Sequence, residues 1–206
     1  MSEPRRIGVF GGAFDPPHLA HVALVQTAIE QLQLHEVRVL PTGQAWHKSH
    51  GLSEAAHRLA MTRLAFAGVA RVVVDEREIT RSGPTYTVDT LQELAQDLPG
   101  SQLYLLIGDD QRRSLPAWHR IEDIARLAII CAADRDPDVG AWSESTATRP
   151  VAQTSVTLPI QPLRMPLMPL SATDIRQRIR QHQSIEGLVP AAVERYIHEH
   201  HLYRPT

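Results

Sequence analysis

Short runs of apolar, often β-branched residues alternate along the chain with longer segments in which apolar residues recur every three or four positions. The short runs predict five buried strands, at Ile7–Phe10, Val37–Leu40, Val72–Val74, Leu103–Ile107 and Ile129–Ala132. The longer segments predict helices with one buried face, at His18–Leu34, Ser53–Gly68, Thr87–Leu98 and Ile121–Leu127. This alternation favours right-handed crossovers, so we predict the α/β class with a doubly wound parallel sheet.

The last third of the chain has a different pattern. From Ala133 to Pro169 the periodicity is lost and Asp, Ser, Thr and Pro are frequent, which predicts a connecting loop with one short strand at Ser155–Leu158. Two further helices are expected at Ala172–Gln181 and Pro190–His201. We therefore expect one domain over residues 1–206, with a core at 1–169 and a helical subdomain at 170–206.

Composition narrows the class of protein. A chain of 206 residues with 43% hydrophobic and 21% charged content can bury a core without disulfides. The single cysteine, Cys131, lies in an apolar run and is expected to be a buried, unreactive thiol, which suits a reducing cytoplasm. The absence of a long apolar run predicts no membrane span or secretion signal. A net charge of −2 argues against binding to nucleic acid. Whether the chain forms a homo-oligomer stays open.

The most informative motif follows the first predicted strand. Gly11 and Gly12 let the backbone approach a phosphate closely, and a helix start just behind them favours anions. His18 and His21, three residues apart, are expected to share one face in the first helical turn. A glycine turn with two capping histidines, or a zinc site completed by Asp15, would explain the same residues. Taken together, the glycines and the helix start favour a phosphate site.

A second anion site is suggested by the segment LSATDIR at 170–176. Ser171 and Asp174 form the pattern that caps a helix start, and Arg176 follows within a turn. The alternative is a plain cap followed by a solvated arginine face.

These segments resemble signatures of a known superfamily. GGAFDPPHLAH at 11–21 resembles the GGTFDPxHxGH signature of the nucleotidylyltransferases, and LSATDIR resembles their ISSTxIR signature. RSGPTYTVDT at 81–90, IGDD at 107–110, LPAW at 115–118 and SIEGLVP at 184–190 resemble bacterial nicotinate-nucleotide adenylyltransferases, so the similarity covers nearly the whole chain.

The resemblance implies a Rossmann-like fold and the transfer of AMP from ATP, with Mg²⁺, to nicotinate mononucleotide, which yields deamido-NAD and pyrophosphate. The substrate phosphate is itself the attacking group, so no covalent enzyme intermediate is needed. No residue is expected to ligate a metal. The expected catalytic residues are His18, His21, Lys48 and Arg176.

The same resemblance assigns the binding residues. Those expected to bind ATP are Gly11, Gly12, Ala13, Phe14, His18, His21, Ile107, Gly108, Asp110, Ser171, Thr173 and Arg176. Those expected to bind nicotinate mononucleotide are Gly12, Phe14, Lys48, Thr85, Tyr86 and Trp118. An aromatic ring would stack on the pyridine, and N–H or O–H groups would take its carboxylate.

Four positions depart from the family pattern. Ala13 replaces the signature threonine, Ala20 replaces the glycine between the histidines, and Ala45–Trp46 occupy a proline pair of the loop that carries Lys48. Rival acceptors in the same fold are nicotinamide mononucleotide and phosphopantetheine, since acid and amide differ by one group. A rival of another class is a regulatory module that senses ATP or deamido-NAD without turnover.

Overall fold

The computed structural model describes residues 3–43, 52–134 and 158–204. Six strands are present, β1 (Arg6–Gly12), β2 (Glu36–Pro41), β3 (Val72–Val74), β4 (Gln102–Ile107), β5 (Ala128–Asp134) and β6 (Ile160–Arg164). Eight α-helices accompany them, α1 (Leu19–Gln31), α2 (Ala55–Phe66), α3 (Arg77–Thr80), α4 (Thr87–Asp97), α5 (Asp109–Arg112), α6 (Ile121–Leu127), α7 (Ala172–Arg180) and α8 (Ala191–Glu199). A 3₁₀ turn spans Leu115–Ala117.

The strands form one sheet in the order β3–β2–β1–β4–β5–β6, which confirms the predicted doubly wound α/β fold. The pairs β1–β4, β4–β5 and β5–β6 are parallel. The order reverses direction between β1 and β4, where Ile7 lies opposite Leu103. In open sheets of this type, ligands bind beyond the carboxyl ends of the strands at such a reversal. The residues that follow β1 and the residues that follow β4 are therefore candidates for ligand binding.

The structure differs from the sequence prediction at α1 and β6, and it contains two short helices, α3 and α5, that were not predicted. Helix α1 ends at Gln31 rather than Leu34, because the backbone of Gln33 is left-handed (φ 51°) and turns the chain while Leu34 stays fully buried. A sixth strand, Ile160–Arg164, follows the predicted strand at Ser155–Leu158, whose residues 155–157 lie outside the described part. Proline-interrupted β6 lies at the edge of the sheet, where a missing N–H is tolerated, so its pattern is not typical of a strand.

The chain divides into two compact units. Unit 1 comprises Met1–Gly11, Leu24–Arg38 and Tyr86–Leu167, and unit 2 comprises Gly12–Ala23, Val39–Thr85 and Met168–Thr206. The core of unit 1 is built on β4 and β5 and includes the buried residues Ile7, Leu103, Leu106, Ile124, Ile130 and Cys131. In unit 2, α2 packs against α8 and the core includes Phe14, Met61, Phe66, Ile175, Val193 and Ile197.

The expected burial of Cys131 has a structural counterpart. Cys131 is buried, and burial raises the pKa of its thiol to about 12, so the sulfur stays protonated and unreactive as predicted. Within residues 3–43, 52–134 and 158–204, none of the helices has the length and apolar character needed to cross a bilayer.

Candidate active site

The two histidines of the first signature lie in contact at the start of α1. His18 directly precedes the helix and His21 belongs to its first turn. Their rings stack, with centroids 3.6 Å apart and planes 21° apart. The backbone N–H of His18 donates to Nδ1 of His21 at 3.1 Å, and the backbone N–H of Leu19 donates to the carbonyl of Leu188 at 3.0 Å. These two N–H groups are therefore not available to an anion, contrary to the expectation of an open helix start.

The hydrogen bond to Nδ1 sets the chemistry of His21. Since Nδ1 accepts, the neutral ring carries its proton on Nε2 and can donate from there. Burial lowers the pKa of His21 well below 6.5, and the charge on His18 lowers it further. At neutral pH the site thus presents a neutral imidazole donor whose orientation is fixed by the backbone.

The depressed pKa of His21 predicts a pH dependence of stability. The folded protein holds fewer protons on His21 than the unfolded chain, so this stabilisation is complete above the unfolded pKa of about 6.5 and is lost progressively as the pH falls from there toward the lower folded pKa. Urea unfolding at pH 7.5 and 5.0 should show a steeper loss for the wild type than for His21→Gln. Below the unfolded pKa the difference in slope approaches one proton, about 1.4 kcal/mol per pH unit, and above it the slopes converge. Equal slopes for the two proteins would contradict the buried, neutral imidazole.

The side chain of Phe14 packs against His21 in the first turn of α1. Its ring is buried, meets the ring of His21 edge-on at 5.2 Å, and meets Phe66 at 6.3 Å. Its backbone is left-handed (φ 48°), which is uncommon for a bulky residue. A Cβ placed on Gly12 would lie 3.1 Å from the Phe14 ring, so the ring packs closely over the Gly12 backbone. Phe14 thus helps to fix the segment between β1 and α1 through the packing of its side chain.

A buried arginine forms hydrogen bonds to the backbone of three separate segments of unit 2. Arg58 of α2 is 2% exposed and donates to four backbone carbonyls, those of Ser53 (3.0 Å), Ala13 (3.0 Å), Thr42 (2.6 Å) and Gly43 (3.1 Å). Burial lowers the pKa of Arg58, whereas the negative charge of Asp15 raises it. The guanidinium therefore replaces water as the partner of carbonyls from three separate segments.

Asp15 is the buried counterpart of this arginine. Its carboxylate is 1% exposed and accepts from the backbone N–H of Ser53 at 3.1 Å and from the hydroxyl of Tyr203 at 2.6 Å. Its backbone carbonyl accepts from Arg176 at 2.7 Å. Asp15 is therefore engaged through both its carboxylate and its backbone, which leaves it poorly suited to the zinc site considered above.

Gly43 follows β2, and the backbone there lies very close to the backbone of Glu78. A Cβ added to Gly43 would lie 2.1 Å from the carbonyl oxygen of Glu78, so the loop cannot keep its position with any other residue. We expect Gly43→Ala to lower the free energy of unfolding by at least about 2 kcal/mol, as measured by urea unfolding. The control is Gly68→Ala, because a Cβ there meets nothing within 4 Å. Similar stabilities for the two variants would contradict this packing.

The second signature forms the start of α7, as predicted. Ser171 caps the helix by accepting from the N–H of Asp174 at 3.1 Å. Arg176 donates from Nη1 to Asp15 and from Nη2 to the hydroxyl of Thr173 at 3.3 Å. Arg176 is therefore not on a solvated face but joins α7 to the loop that carries the histidines. The structure thus brings together, in unit 2, the histidine pair and the arginine that the sequence singled out.

The remaining predicted residues are distributed over both units. In unit 1, Gly11 lies near the end of β1. Ile107 ends β4 and is followed by Gly108, which precedes α5 with Asp110. Tyr86 packs against His119 with ring centroids 4.5 Å apart, and Nε1 of Trp118 donates to Ser114 at 3.3 Å.

Thr85 belongs to unit 2 and is buried, and its hydroxyl has no hydrogen-bond partner among the described residues. Lys48, Ala45 and Trp46 lie outside the described residues.

Sequence reasoning missed Arg58 and Tyr203. Arg58 shares its buried helix face with Met61, Thr62 and Ala65, so an arginine at a core position of the α2 pattern was the available signal. No local pattern marked Tyr203, because its partner Asp15 lies near the other end of the chain.

Comparisons with known proteins identify sequences and structures similar to this chain. The sequence model of the cytidylyltransferase-like family matches residues 9–178. A probable nicotinate-nucleotide adenylyltransferase of Albidiferax ferrireducens is 50% identical over 97% of this chain and 98% of its own. One from a Synechococcus strain is 41% identical over 98% of this chain and 99% of its own.

Solved structures show the same fold. Nicotinic acid mononucleotide adenylyltransferase of Plasmodium falciparum, complexed with APC, superposes with a TM-score of 0.75 at 18% identity and covers 97% of both chains. The same enzyme complexed with NaAD also gives 0.75, at 20% identity. With the extensive sequence identity to the bacterial relatives, these findings show that the chain belongs to the nicotinate-nucleotide adenylyltransferase family of cytidylyltransferase-like proteins.

Proposed function

We propose that this chain transfers AMP from ATP to nicotinate mononucleotide and releases deamido-NAD and pyrophosphate. The observation that carries the proposal is the stacked pair of His18 and His21 at the start of α1, to which Arg176 is joined through Asp15. A module that only senses nucleotides needs no oriented imidazole donor, so this pair favours an enzyme. The relatives named above, at up to 50% identity over nearly the whole chain, support the same reaction.

The chemistry is a direct displacement at phosphorus. An oxygen of the nicotinate mononucleotide 5′-phosphate attacks the α-phosphorus of ATP, a new P–O bond forms, and the bond from that phosphorus to the leaving pyrophosphate breaks. No side chain becomes attached to AMP. The protein therefore has to align the two phosphates and stabilise the charge that develops in the transition state.

The described residues supply donors for this task. His21 donates from Nε2 because its Nδ1 is occupied by the N–H of His18. Arg176 uses two of its five N–H donors on Asp15 and Thr173, which leaves donors for the triphosphate. In the proposal Lys48, which follows β2 in the sequence, contacts the triphosphate. Backbone groups of Gly11, Gly12, Ala13 and Phe14 approach the phosphates.

The rest of each substrate is assigned by the family resemblance. For ATP we propose contacts with Ile107, Gly108 and Asp110 after β4, and with Ser171 and Thr173 at the start of α7. For nicotinate mononucleotide we propose Gly12, Phe14, Lys48, Thr85, Tyr86 and Trp118. The buried Thr85 hydroxyl supports this assignment, because a hydroxyl without a partner among the described residues is stabilised when a ligand bonds to it.

Magnesium enters this proposal with ATP. Among the described residues no three His, Cys, Asp or Glu side chains are grouped to hold a metal ion, and the Asp15 carboxylate already has two partners. The described residues therefore do not fit a protein-held metal cage. A magnesium ion bound to the triphosphate neutralises part of its charge. The buried, protonated thiol of Cys131 suits the cytoplasm as the proposed compartment.

The test is pyrophosphate release from ATP and Mg²⁺ with nicotinate mononucleotide and nicotinamide mononucleotide in parallel reactions. We expect the acid to react with a kcat/KM at least about a hundredfold above that of the amide, because a site built to bond one group leaves polar atoms unpaired with the other. Equal rates would keep the chemistry but contradict the assignment of Thr85, Tyr86 and Trp118. No release with either nucleotide would contradict the proposed reaction.

A further inference from the structure

Tyr203, close to the C-terminus, reaches the loop that carries the catalytic histidines. Its hydroxyl donates to Oδ1 of Asp15 at 2.6 Å and lies 3.9 Å from the sulfur of Met61. Burial raises the pKa of Tyr203, and the charge of Asp15 raises it further, so the hydroxyl keeps its proton and remains a donor. A hydrogen bond from a hydroxyl to a buried carboxylate is among the stronger ones in proteins.

The backbone around Tyr203 adopts an uncommon, left-handed conformation. Tyr203 has φ 63° and His201 has φ 52°, both in the left-handed region that large side chains rarely adopt. Non-glycine residues persist there when the surrounding structure determines them. The backbone N–H of Leu202 donates to the carbonyl of Ile197 at 3.0 Å, so the turn after α8 is closed in the position that presents Tyr203.

Asp15 transmits the effect of this contact to the site. Its side chain is held by Tyr203 and Ser53, its carbonyl holds Arg176, and it lies three residues before His18. Without the hydroxyl, the buried carboxylate loses its strongest donor and can rotate away from the Ser53 N–H. Because Arg176 and His18 are fixed through the same short segment, such a rotation changes the position of both.

We propose that Tyr203 is a positioning residue for AMP transfer, which acts through Asp15 on the histidine pair and Arg176. This inference rests on the proposed function for its kinetic consequence. The structural consequence of the inference does not depend on the proposed function, because the orientation of His21 can be observed in the free protein.

The variant that tests the proposal is Tyr203→Phe, which removes one oxygen and keeps the ring. The matched control is Tyr196→Phe. Tyr196 also belongs to the C-terminal segment, and its hydroxyl has one side-chain partner, Nδ1 of His57 at 3.0 Å, within the α2–α8 contact. Both variants lose one tyrosine hydroxyl, but only Tyr203→Phe removes a bond to the catalytic loop.

Two measurements separate a positioning role from a merely structural one. The first is the ¹⁵N chemical shifts of the His21 ring in the free protein, which report whether the Nε2–H form prevails; His21→Gln assigns the signal. The second is kcat and the KM for ATP, measured well below the unfolding temperature of each variant. For Tyr203→Phe we expect a mixture of His21 ring forms and a kcat lower by about tenfold or more, with a smaller change in KM. For Tyr196→Phe both readouts should match the wild type.

Wild-type ring shifts and a wild-type kcat in Tyr203→Phe would overturn the proposal, as would equal effects of the two substitutions. If the wild-type protein transfers no AMP to any acceptor, the proposed function fails. The ring shifts of the free protein then still decide whether Tyr203 orients His21.

Discussion

Replacing His21 with alanine should lower kcat for AMP transfer by about a hundredfold to a thousandfold. The structure gives the reason, because Nδ1 of His21 is occupied by the backbone N–H of His18 and burial favours the neutral ring. In the proposed reaction the ring donates from Nε2 to a group whose negative charge grows in the transition state, and removal of one such oriented donor has effects of this size. The affinity for ATP, measured by calorimetry, should change by less than about tenfold, since a single net hydrogen bond is lost from the ground state.

His57→Ala is the control for the effect of removing a histidine. His57 is also partly buried and meets the rings of Tyr196 and His200 edge-on, but it lies in the contact between α2 and α8. This variant should keep a kcat close to that of the wild type. A His21→Ala variant with more than about a tenth of the wild-type kcat would contradict a role for His21 in the transition state.

Replacing Arg58 with methionine should lower the free energy of unfolding by about 3–5 kcal/mol. Four backbone carbonyls lose their donor, and the buried Asp15 loses the nearby positive charge that compensates it. Methionine keeps much of the aliphatic length, so the loss reflects the guanidinium rather than the packing of its stem. Urea unfolding monitored by far-ultraviolet circular dichroism measures the difference.

Arg63→Met on the same helix provides the control. Arg63 is exposed and pairs with Glu76 at the surface, where ion pairs contribute about 0–1 kcal/mol. If Arg58→Met unfolds within about 1 kcal/mol of Arg63→Met, the buried arginine does not hold the loops as described.

The sequence predicted those parts of the molecule that depend on local pattern. The spacing of His18 and His21 predicted a shared helical face, and the cap of α7 at Ser171 followed from residue types alone. The stacking of the two rings and the hydrogen bond from the His18 N–H to His21 could not be predicted. Both depend on the backbone path through Phe14, which is left-handed.

Features that depend on distant residues could not be read from local pattern. The arginine at position 58 lies among buried neighbours of α2, but its partners are carbonyls of Ala13, Thr42 and Gly43 on other segments. The bond between Tyr203 and Asp15 joins residues near opposite ends of the chain. Local periodicity carries no information about such pairs, whereas it predicted β1 to β5 near their observed positions.

The most direct test of the central claim follows the configuration at the α-phosphorus. The wild-type protein is incubated with Mg²⁺, nicotinate mononucleotide and one diastereomer of ATP that carries sulfur on the α-phosphate. Direct displacement predicts the α-thio analogue of deamido-NAD with inverted configuration, accompanied by an equal amount of pyrophosphate. Retained configuration would show that AMP passes through a covalent enzyme intermediate, and the absence of a dinucleotide product would show that nicotinate mononucleotide is not the acceptor.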